Sequence, residues 1–283
     1  MVRHILSIAG TDPTGGAGLQ ADLKTVSALG AYAFTVCTAV VAQNTRGVRK
    51  STVLDPIFVK DQLDAVFEDS PIDAVKIGMI GTQSIVETIV DRLRHYQVKT
   101  VVYDPVILAS SGHTLVPLSA LDTIRSQLLP LCTVITPNLA ESALLSKCAI
   151  ATSLHEMFDQ ARQLLCQNSQ WILIKGGHLN EISTSSDLLH SIDGTWILQT
   201  RRIPSVMTHG TGCTLSAAIA SYLPDFDVLT SVRKAKNFVY HAIASHDSLR
   251  VGKGRKPLNH FYRHMQAAQF SSESDDLVKF WPY

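Results

Sequence analysis

The chain has 283 residues, 46% apolar and 17% charged, with 25 Lys+Arg against 24 Asp+Glu and a net charge of +1. An ordinary apolar fraction without charge excess argues against disorder, and the missing positive field argues against a general nucleic-acid scaffold. At roughly 100–200 residues per domain, the length predicts one large α/β domain or two small ones, able to bury a core without staples.

His4–Ala9 reads as a short buried strand, followed by a glycine-rich loop over 10–18. Residues 19–29 read as a helix, with Leu19, Leu23 and Val26 on one face and Gly30 as its stop. Residues 32–42, almost wholly apolar, read as one strand covered on both faces, as in a parallel sheet. Pro56 opens a helix in which Val59, Leu63, Val66 and Phe67 recur at helical spacing. Residues 74–77 form the next strand, ending at Gly78. A helix over 84–95 carries Ile85, Ile89 and Leu93 on one face, and a strand over 100–103 ends at Asp104. A helix over 118–129 precedes a strand over 133–136 that ends at Pro137 and Asn138. A helix over 154–166 precedes a strand over 171–175 that ends at Gly176 and Gly177. Residues 187–192 and 195–200 read as a hairpin turning at Asp193 and Gly194. Helices follow over 212–222 and 228–245, and the acidic stretch SSESDD at 271–276 reads as a mobile end. No internal repeat is seen. Strands alternating with helices predict a doubly wound α/β layer fold.

In such sheets, ligands bind beyond the carboxyl ends of the strands. Gly10, Gln43 with Asn44, Gly78 with Met79, Asp104, Asn138 and Lys175 all fall there. The sharpest local signal is THGTGCTLSAAIA at 208–220, in which glycines precede a helical run. Free N–H groups at a helix start, with the macrodipole behind them, suit an anion; the plainer reading is a glycine turn before a packed helix. Cys213 falls in the first turn, where the dipole is expected to lower its thiol pKa and make it a base or nucleophile. GTDPTGGAG at 10–18 matches neither a dinucleotide fingerprint nor a P-loop, and reads as backbone brought against a small ligand. Asp104 and Glu141 are candidates to hold hydrated Mg²⁺; a turn residue and a first-turn helix acid are the alternatives. Lys175 is a candidate phosphate ligand, or else a solvated strand end.

The five cysteines are scattered, without C-x-x-C, which fits a reducing compartment rather than a disulfide or zinc framework. Gly10, Asp12 and Pro13 break the N-terminal apolar stretch too early for a signal peptide. The longest apolar stretch, 31–42, falls short of the roughly 18 residues of a membrane span. A soluble cytoplasmic protein is expected.

Taken together, SIAGTDPTGGAGLQADLKT at 7–25, GAYAFTVCTAVVAQNTRGV at 30–48, KIGMIG at 76–81, DPVILASSG at 104–112, ITPNLAE at 135–141, IKGGH at 174–178 and the THGTGC block resemble one family. It is the hydroxymethylpyrimidine/phosphomethylpyrimidine kinase family of thiamine biosynthesis, within the ribokinase-like superfamily. The resemblance runs from about residue 5 to about 261. It implies a three-layer α/β/α fold with a mostly parallel sheet, as one kinase domain over 1–265 followed by a tail of unknown role over 266–283. It implies transfer of the ATP γ-phosphate to the pyrimidine alcohol, then a second transfer onto the monophosphate. Gly210, Thr211, Gly212 and Cys213 would form the anion hole, with Cys213 where most of the superfamily has a base Asp. Asp104 and Glu141 would organise Mg²⁺; Asn138, Lys175 and Thr208 would contact ATP. Gln43, Met79, Val106, Gly10 and Asp22 would hold the pyrimidine. The adenine would lie by the helix over 228–245. VILA at 106–109 departs from the methionine that family members often carry there. Small-molecule partners and a homodimer are implied. A pyridoxal or pyridoxine kinase of the same fold, a non-catalytic metabolite-binding protein and a nicotinamide oxidoreductase are the competing readings.

Overall fold

The computed structural model describes residues 1–107, 116–117, 119–165, 170–177, 179, 183–203, 209–265 and 277–280. Its elements are β1 (His4–Ala9), α1 (Gly18–Ala28), β2 (Tyr32–Cys37), β3 (Ala39–Asn44), β4 (Gly47–Val53), α2 (Pro56–Asp69), β5 (Ala74–Ile77), α3 (Gln83–His95), β6 (Val101–Tyr103), α4 (Ala120–Thr123), β7 (Val134–Ile135), α5 (Leu139–Ser146), α6 (Leu154–Leu164), β8 (Trp171–Ile174), β9 (Thr184–Ser191), β10 (Gly194–Arg201), α7 (Thr211–Tyr222), α8 (Val228–Ala244), α9 (Tyr262–Met265) and β11 (Leu277–Phe280).

The main sheet runs β11-β10-β9-β8-β7-β6-β5-β1-β2. It is parallel from β2 to β8 and antiparallel from β9 outward. Because strand side chains alternate, the buried strands feed two cores. Leu6, Ile8, Val75, Ile77, Val101 and Tyr103 pack toward α2, α3, α4, α5 and α6. Ile5, Ala74, Val102, Val134 and Leu173 pack toward α1, α7, α8 and α9. This is the expected α/β/α sandwich. α7 is buried along nearly its whole length, and its alanines let it lie close against the sheet. No helix among the described residues is long and apolar enough to cross a membrane.

Several expectations are corrected. The single strand over 32–42 is two strands, and β3 leaves the sheet to pair with β4 in a separate hairpin. Thr38 makes the break: its N–H donates to Ala9 O at 3.0 Å and its hydroxyl to Met79 O at 2.6 Å. β3 alternates buried and exposed residues up to Ala42, so it is not covered on both faces. Gln43 and Asn44 therefore sit on the hairpin, not at the sheet edge. The helix over 118–129 is only a short α4 followed by a π-turn over Ile124–Leu128 and a 3-10 turn over Leu129–Leu131. The later hairpin turns one residue early, at Ile192 and Asp193, because Gly194 already pairs with Ser191. The short α5 and the C-terminal β11 escaped the periodicity argument. Cys166 and the acidic stretch 271–276 lie outside the described residues.

Candidate active site

Two glycine loops meet at the carboxyl edge of the sheet. Gly210 precedes α7 with φ of 86°, and a Cβ there would lie 1.7 Å from Gly16 O. Only glycine allows both the left-handed backbone and this approach. Asp12 ties the loops together. It accepts from Thr14 N and Ala17 N, each at 2.8 Å, and pairs with His209 Nε2 at 2.8 Å. Burial opposes its charge, but hydrogen bonds from His209, Gln43 and Thr14 hold its carboxyl well below the usual range.

Asp55, Thr82, Asn138, Ser153 and Asp227 cap α2, α3, α5, α6 and α8 through their side chains. α1 and α7, which follow the glycine loops, have no side-chain cap. The first helical bond of α7 runs from Thr214 N to Gly210 O. The N–H groups of Thr211, Gly212 and Cys213 therefore precede the intrahelical ladder.

Beneath this helix start, the sheet face toward α1 and α7 turns polar at its carboxyl edge. Ile5 gives way to Ser7, Ala74 to Lys76, Val102 to Asp104, Val134 to Thr136 and Leu173 to Lys175. Two ion pairs fill the row. Lys175 Nζ lies 2.7 Å from Asp104 Oδ1, which also accepts from Thr136 Oγ1 at 3.1 Å. Lys76 Nζ lies 2.7 Å from Asp22 Oδ2, and both side chains are 0% exposed. A Cβ on Gly212 would sit 3.2 Å from Lys175 Nζ and 3.3 Å from Asp104 Oδ2. Burial works against the Asp104 charge, but Lys175 and Lys76 hold its carboxyl below the usual range.

Glu141 closes a capping box with Asn138: Asn138 N donates to Glu141 Oε2 at 2.8 Å and Glu141 N to Asn138 Oδ1 at 2.9 Å. Glu141 is thus a first-turn helix acid, and it is also buried beside Lys175 and Asp104. Burial, opposed by Lys175 and reinforced by Asp104, pushes its carboxyl up to about 7. Lys175 is no solvated strand end; its side chain is 17% exposed and pinned to Asp104.

The dipole argument for Cys213 is corrected. Burial pushes the thiol up to about 11, and Asp22 and Asp104 act in the same direction. Lys76 and the Gly18 N–H pull it down without prevailing. Desolvation of the thiolate is the largest cause.

Of the expected residues, Gly210, Thr211, Gly212, Cys213, Lys175, Asp104, Asn138 and Glu141 gather around the start of α7. Gly10 and Met79 also touch one another: a Cβ on Gly10 would lie 3.0 Å from Met79 Sδ. Val106 follows Asp104 in a tight turn, its N–H donating to Asp104 O at 2.8 Å. Gln43 reaches Asp12 from the hairpin. Thr208 lies outside the described residues. Sequence reasoning missed Ser7, Asp12, Lys76, Thr136, His209 and His260 as members. A lysine inside the apolar run AVKIG was the available signal for Lys76.

His260 is 3% exposed and shares a 3.0 Å hydrogen bond with Thr214 Oγ1 on α7. Burial, with a smaller push from Lys24, lowers its pKa from 6.5 to about 4. The native state then binds fewer protons than the unfolded one, so this contribution is complete above about pH 6.5 and is lost as pH falls toward 4. His260→Gln is expected to flatten the melting temperature over that window. An unchanged acid slope would remove His260 as its cause.

The model of the phosphomethylpyrimidine kinase family matches residues 12–259. The chain belongs to that family. The hydroxymethylpyrimidine/phosphomethylpyrimidine kinase of Escherichia coli K12 is 49% identical over 260 residues, covering 92% of this chain and 97% of that protein. Among solved structures, the phosphomethylpyrimidine kinase of Clostridium difficile 630 is 37% identical with a TM-score of 0.75, over 85% of this chain and 99% of that one. The pyridoxal kinase of Staphylococcus aureus with AMP-PCP and pyridoxal is 29% identical with a TM-score of 0.87, over 99% and 100%. The family fold is thus ribokinase-like and shared with pyridoxal kinases.

Proposed function

We propose that the chain phosphorylates 4-amino-5-hydroxymethyl-2-methylpyrimidine with ATP, and then phosphorylates the monophosphate, within thiamine biosynthesis. The observation that carries this reading is the convergence on Gly212, where the uncapped start of α7 meets Lys175 and Asp104. In-line phosphoryl transfer needs positioning and charge stabilisation more than covalent chemistry. The N–H groups of Thr211, Gly212 and Cys213, with Lys175, meet the charge that develops on the transferring group. Asn138, whose Oδ1 is taken by Glu141, offers its amide N–H groups to the nucleotide phosphates, together with Thr208. Gln43, Gly10, Asp22, Met79 and Val106 hold the pyrimidine.

Asp104 and Glu141 fit magnesium: they are neighbouring buried carboxylates with oxygen donors only. No cluster of three or more His, Cys, Asp or Glu among the described residues is arranged to hold a metal by itself. That suits an ion that keeps waters and takes other ligands from phosphates. Bound with ATP, Mg²⁺ supplies neutralisation of the phosphate oxygens. Cys213 takes the hydroxyl proton only as a thiolate, a form its raised pKa disfavours in the free chain. The reading therefore rests on the anion hole and Lys175 rather than on a base. A homodimer in a reducing cytoplasm completes it; the free thiols of Cys37, Cys132, Cys148 and Cys213 suit that compartment.

A pyridoxal kinase is the second reading, favoured by the TM-score of the Staphylococcus aureus structure. Mass detection of products decides between them. Purified protein with ATP, Mg²⁺ and the pyrimidine alcohol is expected to yield the monophosphate and then the diphosphate. Much faster turnover of pyridoxal under the same conditions would overturn the first reading.

A further inference from the structure

Asp22 is fully buried, and its two carboxylate oxygens are treated differently. Oδ2 accepts from Ser7 Oγ at 2.6 Å and from Lys76 Nζ at 2.7 Å. Oδ1 is equally enclosed but has no hydrogen-bond partner among the described residues. A buried carboxylate oxygen without a donor is costly, and two donors stand close by on the other oxygen. The fold has concentrated its donors on one side of the group.

Asp22 itself stands among residues of the site. Asp22 stands one helical turn beyond Gly18 on α1, hence on the same helix face. The Gly18 N–H reaches the Cys213 sulfur. The groups acting on Asp22 are Ser7 from β1, Lys76 from β5, Asp104 beyond β6 and Cys213 from α7. Gly78 makes room for this arrangement, since a Cβ there would lie 2.8 Å from Lys76 Nζ.

We propose that Ser7 and Lys76 are positioning residues for the acceptor alcohol: by occupying Oδ2 of Asp22, they present Oδ1 as a fixed acceptor for a hydroxyl or amino proton of the substrate. This rests on the reading of the chain as a kinase of a small heteroaromatic alcohol. Lys76 has a second effect. Burial raises the Asp22 carboxyl above its usual range, and the adjacent ammonium opposes that rise without cancelling it. Asp22 in turn, against the effect of burial, holds the Lys76 ammonium above its usual range.

The test is calorimetric titration of the free enzyme with hydroxymethylpyrimidine, and separately with AMP-PCP. Ser7→Ala is expected to weaken acceptor binding roughly three- to tenfold and to leave nucleotide binding unchanged. Lys76→Met is expected to weaken acceptor binding further, with a variant-to-wild-type Kd ratio that grows as pH falls and Asp22 takes a proton. If Lys76→Met does not fold, the Lys76→Met/Asp22→Asn pair removes both charges of this ion pair together and should show the loss without the pH trend. Folded Ser7→Ala with unchanged acceptor Kd, or with both ligands weakened equally, overturns the proposal. If the wild type binds pyridoxal and not the pyrimidine, the functional reading fails, and the same titrations with pyridoxal still decide the roles of Ser7 and Lys76. A wild type that binds neither acceptor overturns both.

Discussion

Lys175→Met is expected to lower kcat by roughly 10²–10³ in both phosphorylation steps, the scale seen when one donor to a developing oxyanion is removed. Methionine keeps most of the length of the side chain and discards its charge. The ammonium lies 2.7 Å from Asp104 Oδ1 and 3.2 Å from where a Gly212 Cβ would stand, so it borders the helix start that receives the phosphate. The same change strips a partner from a buried carboxylate, a loss on the order of 3 kcal/mol when nothing compensates. Asp104 would answer by taking a proton, so its pKa in the folded variant rises above the ordinary value. A raised carboxyl binds more protons folded than unfolded, and stability then falls as pH rises. The variant should therefore melt lowest at alkaline pH and recover on acidification. Lys175→Met/Asp104→Asn should regain melting temperature without regaining kcat. A single variant that keeps kcat within about tenfold would remove Lys175 from the transfer step.

What the sequence disclosed follows from range. β1, β5, β6 and β8 announce themselves by short apolar runs ending in Gly10, Gly78, Asp104 and Lys175. Periodicity and strand ends are local, and parallel strands then bring those ends to one edge. The features that stayed hidden are made by distant partners. Asp22 and Lys76 are 54 residues apart, and Asp12 and His209 are 197 apart. No local pattern says which aspartate will meet the lysine buried in β5. The departure of β3 from the sheet has the same origin. Residues 32–42 are uniform in composition, but Thr38 is held by Ala9 and Met79, and only the second contact reaches beyond neighbouring strands. Cys213 shows the converse. Its helix start was legible, but its pKa direction depends on how much protein closes over it, and that is set by α1 and the sheet together.

Gly210→Ala is expected to damage both stability and catalysis, and Gly30→Ala separates the two causes. Both glycines have left-handed backbones, with φ of 86° and 77°. At Gly30 nothing lies within 4 Å of an added Cβ, so alanine there meets only the backbone penalty, about 1–2 kcal/mol. For a chain of this size that is a fall of roughly 2–8 °C in melting temperature, with activity intact. At Gly210 the same penalty is joined by a Cβ 1.7 Å from Gly16 O, a backbone atom that cannot rotate away. One of the two loops must move. Gly16 is itself hemmed in, since its own Cβ would lie 2.7 Å from His209 Cδ2 and 3.0 Å from Pro257 Cβ. The displacement therefore passes to the start of α7, where an error of about 1 Å in a charge-stabilising group costs on the order of 10²-fold in rate. Gly210→Ala should melt well below Gly30→Ala and lose at least that much kcat. Equal melting temperatures with full activity would show that the contact between the glycine loops yields freely, and that the anion hole does not depend on it.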